Sequence, residues 1–239
     1  MRILATKICE DATITSTDES ANYPASNLCH QFLRNRWQPI ADGTQTITMD
    51  WSSVQSINCV FVGYISSTTT NLDIKIYNGS GLVETLSSVD ISDGNGAYYF
   101  SQTHVDIVSL ELIATGSGTM YIGGAEPGVY YQMPRQTSAH PEGRQDNSIT
   151  SVSEWGQAQQ YRVPWLDRCT YSWAGQLRSV WQEVVAQLEP IGVGGTLWVD
   201  FYEGDHSIKI PGYYRLAAFP DYTNNGHRYS FSIGLVEAR

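Results

Sequence analysis

The densest grouping of residues able to do acid–base or metal chemistry is Glu203-Gly204-Asp205-His206, two carboxylates and an imidazole in the turn after an apolar strand. Such a set could hold a divalent cation or exchange a proton, yet the same residues also make an ordinary polar loop between Phe201 and Ile208. The five histidines, His30, His104, His140, His206 and His227, are isolated from one another and read as solvated loop residues. No G-x-S-x-G elbow, H-E-x-x-H helix, glycine-rich phosphate loop or paired Cys/His spacing occurs. Carboxylate pairs of the glycosidase kind could be assembled from many of the 24 acidic residues, so their presence selects nothing. The expectation is a chain without catalytic residues, metal site or cofactor, and so not an enzyme.

The aromatic residues are the better lead. With 15 tyrosines and 7 tryptophans, several rings are consecutive: Tyr98-Tyr99-Phe100, Tyr130-Tyr131 and Tyr213-Tyr214. In an extended chain neighbouring side chains point to opposite faces, so one ring of each pair faces away from the core. Outward rings stack on sugars, fill protein interfaces or cover the outer face of a sheet.

The formal charge of −10 is unevenly spread. Residues 1–125 hold 5 Lys or Arg against 12 Asp or Glu, and residues 126–239 hold 9 against 12, giving −7 and −3. An acidic surface repels phosphate backbones, which argues against a nucleic-acid partner. Lys7, Glu10 and Asp11 interrupt the start where a signal peptide needs an apolar run, and no later run reaches membrane-spanning length, so no membrane insertion is expected. Cys9, Cys29, Cys59 and Cys169 lack C-x-x-C spacing and read as reduced core thiols, a Cys9–Cys29 disulfide being the alternative.

What must position any of these groups is mainly β structure with one helix. Leu177, Val180, Trp181, Val184, Val185 and Leu188 fall at i, i+3, i+4, i+7, i+8 and i+11, which predicts a helix over 176–190 with its apolar stripe laid on a sheet. Pro190 and Gly192 stop it. Elsewhere the period is two. Strands are predicted at 46–51, 59–65, 72–77, 83–89, 97–100, 105–112 and 119–122, then at 149–155, 159–163, 168–173, 196–202, 213–219 and 228–236. Asn224-Asn225-Gly226 is read as the hairpin turn joining the last two. The organisation that follows is a jelly-roll β-sandwich over 1–125, an extended connector over 126–147 with Pro127, Pro134 and Pro141, and a β-sandwich or barrel with one packed helix over 148–239. Val129, Tyr130, Tyr131 and Met133 are too apolar for a free linker and are expected at an interface between subunits.

Tyr23-Pro24-Ala25-Ser26-Asn27-Leu28, followed by Arg34-Asn35-Arg36-Trp37, resembles the first long loop of galactose-binding-like jelly rolls of the discoidin type, an opening frequent in tail proteins of tailed bacteriophages. Cys29-His30 stands where such domains often carry Asp-Gly, which departs from a calcium-binding version. The helix 177–188, Gly194-Gly195-Thr196-Leu197-Trp198-Val199-Asp200-Phe201 and the closing strand 228–236 are similar in outline to the tail-tube-like fold of phage distal tail and hub proteins, although there the ring-forming domain usually comes first.

The resemblance implies a structural virion protein at the distal end of a phage tail, assembled in the bacterial host cytoplasm. It would form a homo-oligomeric ring, a hexamer or else a trimer, against tube and hub proteins. The first unit would then dock a partner or bind a host surface glycan, with Arg36, Trp37, Tyr98 and Tyr99 as the ligand-binding residues. Two other readings stand beside it: a monomeric carbohydrate-binding module, and a β-rich glycan hydrolase.

Overall fold

Strict alternation of apolar and polar residues builds the first half of the molecule. The computed structural model describes residues 1–5, 8–29, 35–134, 142–145, 149–152, 158–161, 166–193, 195–201, 212–224, 226 and 228–238. In chain order the strands of the first unit are β1 (Arg2–Leu4), β2 (Thr13–Ser16), β3 (Gly43–Gly63), β4 (Thr69–Asn78), β5 (Gly81–Leu86), β6 (Gly96–Gly116), β7 (Gly124–Gly128) and β8 (Tyr131–Gln132). Two single 3-10 turns, Ile8–Asp11 and Ala25–Cys29, lie between the early strands.

Two long strands organise this unit. β3 and β6 pair antiparallel from Gly43 opposite Gly116 to Val62 opposite Gly96, with register shifts between Asp50 and Cys59. Bulges of this kind bend a ribbon and increase its twist, which lets one pair of strands serve both layers of a sandwich. Sequence reading breaks each of these strands in two, because Ser52 to Ser56 and Ser101 to His104 lose the apolar period; the backbone pairing carries on across the gap. The order β2-β3-β6-β4-β5 completes one layer, and β7 adds to the far end of β3. Ile47, Met49, Leu72, Ile74, Ile76, Leu110, Leu112 and Ala114 meet inside as fully buried side chains. Gly81, at φ +129°, closes the β4–β5 hairpin in a backbone conformation open to glycine.

The division of the chain differs from the ranges 1–125, 126–147 and 148–239. One compact unit comprises Met1–Gln132 with Trp198–Gly212, the other Met133–Leu197 with Tyr213–Ala238. The reason is pairing: β7 binds β3, β8 binds β1, and Leu4 on β1 stands opposite Trp198 of β13 (Thr196–Asp200), whose indole stacks on Phe61. Part of the expected connector is thus sheet.

The remaining strands are β9 (Glu142–Gln145), β10 (Ile149–Val152), β11 (Ala158–Tyr161), β12 (Leu166–Gln176), β14 (Gly212–Leu216), β15 (Asp221–Asn224) and β16 (Tyr229–Glu237). Within the second unit β16 lies between β12 and β14, β9 borders β12, and β15 pairs with the first half of β16. The turn at 224–229 therefore joins β15 to β16, a strand that sequence reading left out because Asp221–Asn224 is exposed at every position. Helix α1 (Arg178–Leu188) follows β12 and buries Trp181, Val184 and Leu188. Trp181 packs on Phe231 and Tyr222, with ring centroids 5.1 and 5.2 Å away. Leu177, counted in the buried stripe, instead caps the helix with half of its surface exposed.

The cysteines also depart from the expected four thiols. Cys9 and Cys29 are joined, their Cα atoms 5.4 Å apart, so that the disulfide ties together the two 3-10 turns. Cys59 and Cys169 are buried and take part in no disulfide. Burial pushes the Cys59 thiol far above its ordinary range.

Candidate functional site

The open end of the sandwich, where β3 runs out and Thr69 and Gly116 lie side by side, is closed by irregular chain, and there a single bridge sets the geometry. Trp37 and Ile122 exchange both backbone hydrogen bonds, at 2.9 and 3.1 Å. The Trp37 indole is fully buried in the core and donates from Nε1 to Ser16 Oγ and the Asp18 carbonyl, at 3.1 and 3.3 Å. Extended backbone alternates, so with Trp37 turned inward its neighbours Arg36 and Gln38 turn out. Both are held from the other side as well. The Gln38 amide donates to the Tyr23 carbonyl at 3.1 Å, the Gln38 carbonyl accepts from the Ser20 amide at 2.8 Å, and Asn27 Nδ2 donates to the Arg36 carbonyl at 3.0 Å.

The result is an arginine between two rings. The Arg36 guanidinium carbon lies 4.9 Å from the ring centre of Tyr23 and 4.5 Å from that of Tyr121. Both distances are within the range in which a cation is attracted to a ring face. Tyr121 is positioned by Ser66: the Ser66 amide donates to its carbonyl and its own amide donates to Ser66 Oγ, each at 3.0 Å. Gly123 lets this loop approach β3, since a Cβ there would stand 2.7 Å from the Tyr64 Cβ. Arg36, Gln38, Tyr23 and Tyr121 are all half-buried. Arg36 Nε and Gln38 Oε1 are buried atoms without a hydrogen-bond partner, and the Arg36 guanidinium faces no carboxylate among the described residues.

The four residues expected to bind a ligand are thereby separated. Arg36 is half-buried against the Tyr23 and Tyr121 rings; Trp37, fully enclosed, is an anchor and cannot touch a ligand. Tyr98 is a correction of the same kind, buried with its hydroxyl donating to the Asp90 carbonyl at 2.7 Å. Tyr99 points to the other face of β6 and donates to Asp200 Oδ2 at 2.5 Å. Burial, with Asp200 beside it, holds its phenol protonated well above the ordinary tyrosine range. The Arg2 guanidinium covers the Tyr99 ring at 4.1 Å and the Tyr130 ring at 4.8 Å.

Of the residues expected between subunits, Tyr130 sits edge-on to Tyr99, with its amide donating to Asn58 Oδ1 at 3.0 Å. Tyr131 pairs with Ile3 in β8, Val129 is half-buried and Met133 is buried. Each already has a place in its own chain.

Tyr23 and Tyr121 were missed. Tyr23 opens the discoidin-like stretch and could have been read from it; Tyr121, a lone ring between buried Met120 and Ile122, carries no signal. Glu203, Asp205 and His206 lie outside the described residues, as do His30, His140 and His227. His104, the one described histidine, is not a solvated loop residue: it is buried against Phe100, with Nε2 2.7 Å from Glu84 Oε2. Among the described residues no group of three or more His, Cys, Asp or Glu could hold a metal, and no helix is long and apolar enough to cross a membrane.

No family model matches this chain, and no curated protein matches its sequence. Solved structures do resemble it. A chitosan-binding module of a Paenibacillus sp. IK-5 chitosanase/glucanase is 19% identical, covers 54% of this chain and 100% of its own, at a TM-score of 0.44. A family 32 carbohydrate-binding module from C. perfringens in complex with galactose is 14% identical over 55% of this chain and 100% of its own, at 0.44. A Streptococcus pneumoniae fucose-binding module is 12% identical over 52% and 95%, at 0.45. These are carbohydrate-binding jelly rolls; none is a phage tail protein. At such identities and scores they assign no activity to this chain.

Proposed function

We propose that this protein is a glycan-binding module whose site is the surface around Arg36 in the first unit. The observation that carries the reading is the Arg36 guanidinium held between the faces of Tyr23 and Tyr121. A sugar needs an apolar wall for its C–H face and fixed polar groups for its hydroxyls. Tyr23 and Tyr121 hold the Arg36 guanidinium by their faces, so that Arg36 supplies one of those fixed polar groups as a planar donor fork. Hydrogen bonds with the Ser20, Tyr23 and Ile122 backbone and from the Asn27 side chain fix the backbone of residues 36–38 before a ligand arrives, which lowers the ordering cost of binding.

The expected affinity is that of one shallow site, roughly millimolar, or about −4 kcal/mol. A glycan array followed by NMR titration tests the reading. Shifts should cluster at Tyr23, Arg36, Gln38 and Tyr121, and Tyr121→Ala should remove them. Shifts confined to other surfaces would refute the site. The proposal is binding without turnover, so release of free sugar from a bound glycan would restore the hydrolase reading. The reading of a virion ring at a phage tail stands as the alternative, and its distinguishing property is a native assembly of six or three copies.

A further inference from the structure

We infer that the second unit carries a ligand site of its own, for a neutral saccharide, on the face of its sheet turned away from α1. It is independent of the Arg36 surface. There β12, β16 and β15 run side by side and frame a cavity of about 400 Å³, toward the small end of the roughly 300–1,000 Å³ usual for small-molecule sites. Pairing sets its lining. Ser172 and Asp221 stand opposite Ser232 from either side, and Thr223 stands opposite Ser230. Side chains alternate along a strand, so these five share one face. Trp173, Phe231 and Tyr222 form the row between them and belong to the other: Trp181 of α1 packs on Phe231 and Tyr222, and Trp173 stacks on Phe231 with centroids 5.0 Å apart. A register shift between Trp173 and Gln176 bends β12 at this point. With only small side chains above the bend, the face is left hollow.

The lining selects by what it offers and by what it lacks. Asp221 Oδ1 accepts the Tyr222 amide at 2.9 Å, which fixes the carboxylate and leaves Oδ2 open. The Ser172 and Ser232 hydroxyls lie 2.8 Å apart, so one donates to the other and the pair keeps one proton and spare lone pairs. The hydroxyls of Thr223 and Ser230 have no partner among the described residues. Donors and acceptors thus lie side by side, which suits adjacent sugar hydroxyls, each a donor and an acceptor at once. No cation lines the cavity: Arg168 and Arg215, on the same face, stand opposite Val236, four positions and roughly 13 Å along β16 from Ser232. A phosphate or carboxylate finds no counter-charge there. The apolar part of the lining on this face is Ala174 and the Thr223 methyl, enough for one C–H edge of a sugar and too little for a lipid or an aromatic ligand. One exposed carboxylate, Asp221, holds an ammonium ion only weakly.

The test is an NMR titration of the full chain with galactose, glucose and mannose, and with glucosamine as the charged arm. The neutral sugars should shift residues 172–174, 221–223 and 230–232 at roughly millimolar concentration. Added salt should not change this, because no ion pair forms. Asp221→Asn still accepts the Tyr222 amide but loses the charge on the open oxygen, and should weaken binding about fivefold. Ser232→Leu sets a large side chain in the cavity from an exposed position, so it should abolish these shifts and leave the melting temperature near wild type. Sugar shifts at Tyr23 and Tyr121 with none at these three segments would overturn this site and leave the Arg36 reading standing; the converse would refute the Arg36 reading and support this one. Glucosamine binding that fades with salt, with no response to the neutral sugars, would overturn the neutral class. Full binding in Ser232→Leu would overturn the cavity as the site.

Discussion

Removing the Cys9–Cys29 bond should cost the first unit about 3 kcal/mol. The bridge joins positions 20 residues apart. In the chain-entropy description a closed loop of that length withdraws about 11 cal/mol/K from the unfolded ensemble, which is about 3.3 kcal/mol at room temperature. For a unit of this size that corresponds to a fall of roughly 10 °C in Tm. The assay is urea unfolding of wild type with and without reductant, and of Cys9→Ser/Cys29→Ser. Both routes should give the same loss, and Cys9→Ser alone should nearly equal the double variant, since the bond needs both sulfurs. Thiol titration of the unreduced, unfolded chain should find two groups, Cys59 and Cys169, and after reduction four. Four thiols without reductant, or a double variant as stable as the oxidised chain, would refute the reasoning. Because Asn27 and Tyr23 lie on the chain that this bond ties down, the reduced protein should also bind its glycan more weakly.

In the second unit, Trp181→Ala should destabilise by about 3 to 5 kcal/mol, because it removes a buried ring packed on Phe231 and Tyr222; an unchanged Tm would remove the helix from its assigned place in the core. Acid should loosen the β5–β6 contact. Although burial works against it, the Ser101 amide, the His104 ring and the Ser101 hydroxyl together hold the Glu84 carboxyl below its ordinary value of 4.5. Its contribution is therefore complete above that pH and is lost as the pH falls below it, so Glu84→Gln should flatten the stability profile in that acid range and nowhere else. Native mass spectrometry should find a monomer if binding is the whole function, whereas a hexamer or trimer at micromolar concentration would favour the tail-ring reading.

How much of this was legible depends on how far apart the deciding residues lie. The inward sets Ile47-Met49-Trp51 and Tyr171-Trp173 show in the sequence because alternation is a local property of extended chain, and the helix 178–188 shows because its stripe repeats every 3.6 residues. Arg36 was named because it sits in a recognisable loop. Other features depend on chain segments far apart, about which local spacing is silent. Cys9 and Cys29 join only because two 3-10 turns converge. Tyr121 reaches Arg36 only through the Trp37–Ile122 bridge, 85 positions along the chain from Arg36. Trp198 returns to Phe61 from across the second unit's sequence. Tyr98 looked like a ligand contact because consecutive rings leave one facing out, and Trp37 because of the loop it sits in; which ring turns in is decided by the layer packed beneath. By itself the sequence determined a mainly β chain with one helix and an arginine in a loop; the partners of that arginine, and so its chemistry, came from tertiary structure, since contacts between distant segments have no local period to betray them.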